Sequence, residues 1–416
     1  MADADLLVLG GGCAGLSLGL RWAERPASGR TIILESRGHY TNDRTWCFWR
    51  LQPHRFQHLV THAWSRMTVT SQARGVSFDC ARTPYEMIPA DRFYSTAQAA
   101  IARSSHVTLR LDTTVLAPPR RVGNLWHVET TAGPIVAHQI VDTRPTPVEG
   151  TAGPPLWQSF IGDEVECDAP CFDPSTAELM HFDSMRTGDV LFRYVLPSSP
   201  HRALIETTVF GPRRLGAADL GAIQADTVKR LCGGAGARVI RTERGVLPMG
   251  VTPQPAPTQG YVRVGLTSGA ARPSTGYAFQ RIQSWADACV ERIARGAPAI
   301  GHAPEPVLRR EMDRLFLRVL RSHPERGPEL FTRMFGDARA DRVIRFLSDA
   351  GTIADCAALG RRLPIGLFLR ELACSVARVP ASAIPEPASL GPASLGPALL
   401  GQVSSRVSRG IDRRAA

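Results

Sequence analysis

Asp5-Leu6-Leu7-Val8-Leu9-Gly10-Gly11-Gly12-Cys13-Ala14-Gly15 opens the chain with a short apolar run, a cluster of glycines and the start of a helical spacing. An apolar run bounded by glycine suits a strand buried on both faces, and residues 13–24 then follow the period of a helix. Gly10, Gly12 and Gly15 satisfy G-x-G-x-x-G, with Gly11 and Ala14 filling the loop between them. Gly10 permits a tight turn, Gly12 lets the backbone approach a pyrophosphate at the helix N-terminus, and Gly15 lets the helix pack closely on the strand. Glu35 follows a second apolar run, Thr31 to Leu34, at the place where a carboxylate accepts hydrogen bonds from a ribose diol. Strand, helix and distal acid together predict a Rossmann-type dinucleotide-binding unit. FAD is preferred over NAD on organisation: the fingerprint leads the chain, and two later strand ends, at Asp142 and at Gly265, suit a cofactor stretched across one domain.

Working outward, further strands are expected at 66–71, 107–111, 126–130 and 135–141. From about 150 to 215 the texture turns β-rich, with Leu191 to Leu196 and Ala203 to Phe210 flanking Ser198-Ser199-Pro200, which predicts a hairpin. After 216 the helical pattern returns, Tyr261 to Val264 reads as one more buried strand, and a helix starts near 276. Residues 305–375 read as helical, with Leu308, Met312, Leu315, Phe316 and Val319 on one face. Beyond 380 a Pro, Ala, Ser and Gly composition, with Ala-Ser-Leu-Gly-Pro repeated at 388–392 and 393–397, predicts disorder. The fold class expected is α/β: a Rossmann-type FAD domain (1–150, resumed at 216–300), an interleaved β-rich substrate segment (151–215), a helical region (301–379) and a tail (380–416).

Hydrophobic residues make up 44% and charged residues 21% of the 416, the composition of an ordinary globular chain. The net charge of +11 is carried by Arg, since Lys229 is the one Lys. It suits either a polyanionic partner or a compositional habit of replacing Lys by Arg. No basic module studded with aromatics stands out, so no nucleic-acid partner is predicted. Nine Cys without a C-x-x-C pair predict free thiols and no metal site. The N-terminal stretch carries Asp3 and Asp5 where an export signal has basic residues, and no run of about 18 apolar residues predicts a spanning helix.

Four segments carry a resemblance: Asn42-Asp43-Arg44-Thr45-Trp46-Cys47-Phe48-Trp49, Phe192-Arg193-Tyr194-Val195-Leu196-Pro197, Leu204-Ile205-Glu206-Thr207-Thr208 and Arg272-Pro273-Ser274-Thr275-Gly276-Tyr277-Ala278-Phe279. With Gln158-Ser159-Phe160-Ile161-Gly162, and in order from about residue 5 to 375, they resemble the bacterial lycopene β-cyclases. The resemblance implies a fold of the flavin hydroxylase type and closure of β-ionone rings at the ends of lycopene or a related linear carotenoid, giving γ- or β-carotene. It also implies an FAD that is active when reduced by NADPH or NADH although the reaction is redox-neutral, and a catalytic glutamate at Glu206. This chain departs from the family in having Thr143-Arg144-Pro145 after Asp142, where Gly-Arg-Gly is common, and His181 where an acid is usual.

Closing a ring on a polyene needs a proton delivered to a terminal alkene, shelter for the cation, and removal of a proton at the end. A period of two puts Leu204, Glu206, Thr208 and Phe210 on one strand face, so Glu206 is either a carboxyl among apolar neighbours whose burial would keep it protonated or a solvent-facing residue of an edge strand, and the proton comes either from it or from the reduced flavin. Tyr194 and Phe210 are assigned to the substrate. Trp46, Phe48 and Trp49 suit either a polyene tunnel or the ordinary core. Arg44 either neutralises a flavin phosphate or pairs with an acid; Arg272 and Thr275 to Tyr277 present backbone amides to the cofactor, or Ser274 and Thr275 cap a helix. A water-insoluble carotenoid must be collected from a bilayer, so the helices of 305–375 are expected to dock on anionic lipid, peripherally and on the cytoplasmic side, where other carotenoid enzymes are possible partners. The rival readings are a flavin monooxygenase, a prenyl or carotenoid reductase, and a non-catalytic lipid carrier on a flavin fold.

Overall fold

Five of the six residues of β1 (Ala4–Leu9) are buried, as a strand covered on both faces requires. It is the central strand of a computed structural model that describes residues 2–26, 29–145, 155–182, 188–233, 236–251, 258–336 and 339–377. β1 leads through the glycine turn to α1 (Cys13–Ala23) and returns as β2 (Thr31–Leu34). Next come β3 (Thr45–Trp49), β4 (His62–Trp64), β5 (Arg66–Ser71), β6 (Gly75–Asp79) and β7 (Tyr85–Pro89), followed by α2 (Ala90–Ala102) and β8 (Val107–Arg110). β9 (Arg120–Val122), β10 (Leu125–Val128) and β11 (Ile135–Asp142) complete the first stretch. The long strands β12 (Leu156–Cys167), β13 (Thr176–Phe182), β14 (Val190–Ser199) and β15 (Arg202–Gly211) precede α3 (Ala217–Cys232), β16 (Ala237–Met249) and β17 (Tyr261–Arg263). The chain ends in helices α4 (Phe279–Ala294), α5 (Val307–Ser322), α6 (Gly327–Gly336), α7 (Ala340–Leu347), α8 (Ile353–Gly360) and α9 (Ile365–Ala377).

One sheet has the order β8-β2-β1-β11-β10-β9, with β17 also on β11. Its pairings β8·β2, β2·β1, β1·β11 and β11·β17 are parallel, so the strand C-termini gather on one edge, where doubly wound sheets bind their ligands. α1, α2 and α4 cover one face through Leu16, Leu20, Phe93, Ala97, Ile282 and Trp285. The second sheet, β16-β12-β15-β14-β13-β5-β6, packs against α5, α6 and α7 through residues such as Phe210, Leu317, Leu320, Phe331 and Ile344. A third sheet, β3-β7-β4, bridges the two clusters, with Phe48 in one and Trp49 in the other.

The β14–β15 hairpin and the return of the chain to the first sheet at β17 match the sequence reading. Interleaving goes further than that reading divided it. β5 and β6, from within 1–150, and β16, from within 216–300, belong to the second sheet. Residues 237–249, read as helical, form a 13-residue edge strand. On α5 the buried residues are Asp313, Leu317, Val319 and Leu320, while Leu308, assigned to the apolar face, is 54% exposed. Residues Met1–Leu372 form one unit and Ala373–Ala416 another, and the Pro-rich tail with its repeat lies outside the described residues. Among the described residues no helix is long and apolar enough to cross a membrane.

Candidate active site

The fingerprint folds as its glycines demand. Gly10 has φ +99°, a conformation that a side chain at this position would strain. A Cβ on Gly15 would lie 2.0 Å from the Gly10 carbonyl oxygen, so the glycine is what lets α1 sit this close to the turn. Gly15→Ala is therefore expected to cost about 1–3 kcal/mol of stability, as overpacking against backbone does. Denaturant unfolding and the absorbance of co-purified flavin check it. Gly12 caps α1 with no side-chain hydrogen bond and has open space around its Cβ position, leaving first-turn amides turned to the cleft.

Glu35 accepts from the Gly11 amide at 2.9 Å and from the Arg37 amide and Nε, each at 3.0 Å. Burial opposes its charge, but these bonds outweigh burial and hold the carboxyl below its usual value. Asp142 is fully buried at the end of β11 and receives Arg144 and the Tyr261 hydroxyl, at 2.7 and 2.8 Å. Its carboxylate thus positions Arg144, which lines the cleft where Asp142 itself does not. Thr143, at a departure from the family pattern, donates its hydroxyl to the carbonyls of Leu9 and Gly10. His181, the other departure, sits between Glu178 and Arg193 at 2.9 Å from each.

A continuous cavity of about 1020 Å³ runs from the fingerprint to the C-terminal helices. Gly10, Gly12, Ala14, Glu35, Arg44, Gly265, Thr275 and Gly276 line it at one end, and Trp46, Tyr194, Glu206 and Phe210 line it further in. Gly11 and Gly15 stand behind this surface as backbone supports. Phe48 and Trp49 are corrected by the structure: neither lines the cavity. Phe48 stacks on Phe279, and Trp49 packs on Tyr85 and Tyr277, so both hold the wall from behind. Trp46 also stacks on Phe279, yet its side chain reaches the lumen.

Strand alternation on β15 does what the sequence predicts: Leu204, Glu206, Thr208 and Phe210 all face the cavity. Thr208 donates to Glu206 Oε1 at 2.5 Å. Burial, and secondarily the nearby Glu243, pushes the Glu206 carboxyl up to about 8, so it is largely protonated at neutral pH. Tyr194, its register partner on β14, and Tyr85 and Tyr277 also line the cavity, and their hydroxyls form a chain: Tyr194 donates to Tyr85 at 2.8 Å, and Tyr85 lies 3.4 Å from Tyr277. Met180, Phe192, Phe316, Phe331 and Phe335 extend the wall in apolar side chains. Glu243, Gln158 and Tyr85 were missed as site residues by sequence reasoning, and Tyr277 was read for its backbone amide alone. For Gln158 the alternation of β12 was the available signal; for Glu243 it was the period-two run Arg241, Glu243, Gly245, Leu247, masked by its charge.

The arrangement is a carboxyl in the largely apolar part of a cavity whose other end is a glycine-rich turn. Comparison with known proteins places it. The family model described as lycopene cyclase protein matches residues 5–372. A lycopene beta-cyclase of Paracoccus sp. (strain N81106 / MBIC 01143) is 34% identical over 136 residues, which are 32% of this chain. That match spans about a third (35%) of the relative's length. Among solved structures, a geranylgeranyl bacteriochlorophyll reductase-like protein of Thermoplasma acidophilum superposes with a TM-score of 0.55 at 12% identity, covering 89% of this chain and 96% of that one. A halogenase solved in complex with FAD gives 0.51 at 12% identity, over 80% of this chain and 76% of its own. The two structures share the fold; the match across nearly the whole sequence goes further, and this chain belongs to the lycopene cyclase family.

Proposed function

We propose that this chain is an FAD-dependent, redox-neutral cyclase that closes the ends of lycopene or a related linear carotenoid into β-ionone rings, giving γ- or β-carotene. The observation that carries the reading is Glu206, a carboxyl held protonated in an apolar cavity that also opens onto the glycine fingerprint. Family membership and the FAD-bearing halogenase of the same fold support it.

The residues present fit FAD. The first turn of α1 and the space at Gly12 suit a pyrophosphate, and Glu35 suits a ribose. Gln158 Oε1, buried in the cavity wall without a hydrogen-bond partner among the described residues, is an acceptor suited to a ring N–H. When bound and kept reduced by NADPH or NADH, the flavin supplies an electron-rich ring whose charge favours an adjacent cation. Within the chain, Glu206 delivers the proton, Thr208 orients its carboxyl, and Trp46, Tyr194 and the phenylalanines exclude water and offer ring faces to the cation. Coexpression with lycopene-forming enzymes in a bacterium, followed by chromatography, tests the reading. Conversion to β-ring pigments is expected; unchanged lycopene with flavin-loaded protein would reject it in favour of an oxygenase or reductase.

The cavity meets the surface along α9, where Ile365, Leu369 and Leu372 are 51%, 58% and 47% exposed and also line the lumen. Arg361, Arg362 and Arg370 are exposed beside them. An apolar mouth ringed by Arg suits docking on the anionic cytoplasmic leaflet, from which a carotenoid would enter directly. Replacing the three apolar residues with Glu is expected to lower flotation with anionic liposomes at least about tenfold, given the apolar contact and charge attraction both lost. Undiminished flotation would remove α9 from the docking surface.

A further inference from the structure

Glu206 shares its row of the sheet with a second carboxyl. β14, β15, β12 and β16 run side by side, and their register aligns Tyr194, Glu206, Gly162 and Glu243 in one row. Tyr194, Glu206 and Glu243 all line the cavity, so the row faces it. Neighbouring strands lie about 4.8 Å apart, and the two glutamates are two strands apart. A side chain on the strand between them would stand in the gap. The residue there is Gly162, and a Cβ built on it would lie 3.4 Å from both Glu206 Cβ and Glu243 Cγ. The glycine keeps a side chain out of the space between the two glutamates, which Leu204 Cδ1 also borders, 3.3 Å from that Cβ position.

Their surroundings differ in a way that assigns them opposite roles. Glu243 Oε2 accepts from Arg241 at 2.6 Å and from the Thr45 hydroxyl at 2.8 Å, and Arg241 also holds Thr45 and Glu164 at 2.6 and 2.5 Å. Among the described residues, Glu206 has the Thr208 hydroxyl and no cation as a hydrogen-bond partner. Burial leaves both carboxyls above their usual value, and at Glu243 the charge of Arg241, followed by Thr45 and Arg44, counters part of that rise. Two like charges in one buried site resist joint ionisation, and the Arg241 guanidinium 2.6 Å from Glu243 favours the negative charge on Glu243 and the proton on Glu206.

We infer that Glu243 is the base that completes the reaction: its carboxylate takes the proton lost by the cyclised cation and returns it across Gly162 to Glu206. This rests on the cyclase reading and assigns it a second residue. In the first step the Glu206 O–H bond breaks and a C–H bond forms at the terminal alkene. The neighbouring double bond then attacks, forming the ring C–C bond and moving the positive charge to a ring carbon. A C–H bond beside that carbon breaks, its electron pair becomes the ring double bond, and the proton goes to a Glu243 oxygen. Transfer from Glu243 to Glu206 restores the starting pair. No electrons are gained or lost and no co-reactant is consumed.

The choice of C–H bond sets where the ring double bond ends up, so a misplaced base changes the ring type and a merely structural residue does not. Glu243→Gln, Glu243→Asp and Gly162→Ala are compared with the unaltered protein in lycopene-forming cells, with pigments resolved by ring type and flavin content measured on the purified proteins. Glu243→Gln is expected to lower β-ring formation at least about 100-fold, the scale of a lost acid–base group, and to turn the residual product toward rings with a displaced double bond. Glu243→Asp should restore part of the rate, and Gly162→Ala should slow turnover with the ring type kept. Unaltered protein that makes no β-ring would overturn the cyclase reading itself, and this inference with it. Active unaltered protein beside a flavin-loaded Glu243→Gln that forms β-rings within about threefold of its rate would overturn the role of Glu243 alone. Should Glu243→Gln fail to take up flavin, the Glu243→Asp and Gly162→Ala proteins decide: unchanged rates in both reject the relay, and reduced rates support it.

Discussion

Glu206→Gln is expected to lower cyclisation by about 10²–10⁴-fold in protein that still takes up flavin, because glutamine fills the same space and carries no transferable proton. The sign of the pH dependence follows from the same group. Burial lifts Glu206 to about 8, and the protonated form is the acid, so on the alkaline side the rate should fall as pH rises through about 8. A carboxyl at its ordinary value of 4.5 would already be ionised at neutral pH and unable to act. Rates of lycopene conversion measured from about pH 6 to about pH 9.5 check the limb. Full activity in Glu206→Gln would take this residue out of the chemistry.

The second large effect is on stability. Arg272 is fully buried and gives Nε and Nη2 to the two carboxylate oxygens of Asp313, at 3.2 and 3.1 Å, while Nη1 donates to the Phe346 carbonyl. Its guanidinium lies 4.3 Å from the centre of the Phe346 ring. One side chain thus ties the turn carrying Ser274, Thr275 and Gly276, which lines the cavity, to α5 and α7. Asp313→Ala leaves that charge buried with Asp349 at 3.8 Å as its nearest remaining acid, and is expected to cost about 3–5 kcal/mol. Replacing both partners, as Arg272→Met with Asp313→Leu, should recover most of the loss because no charge is left stranded. Denaturant unfolding of the three proteins checks the pattern. A cost for Asp313→Ala below about 1 kcal/mol would show that Arg272 finds other compensation.

What was legible in the sequence was local. The β1–α1–β2 unit, Glu35 and the hairpin bearing Glu206 all follow from periodicity within a short window, read with turn residues that have few alternatives. The second sheet was only partly legible because much of its pairing is non-local. β5 lies parallel to β13, more than a hundred residues on, and nothing in Arg66–Ser71 announces that partner. β16 was misread for a different reason. It is an edge strand whose first residues are mostly exposed, so Arg238, Arg241, Glu243 and Arg244 break the apolar alternation that identifies a strand. Glu243 was hidden along with it. The aromatic run shows the same limit at the site: composition selected Trp46, Phe48 and Trp49 together, and packing on Phe279 and Tyr85 decided that Trp46 alone of the three reaches the lumen.

The central claim is that Glu206 and its cavity rearrange a polyene without net oxidation or reduction. It is tested most directly with the purified, flavin-loaded protein and lycopene in anionic liposomes, by following pigment mass and reductant together. The account predicts a ring-bearing product of the same mass as lycopene, with far less than one NADPH or NADH consumed per ring. A product heavier by oxygen or by two hydrogens, formed with one reductant consumed per turnover, would contradict it.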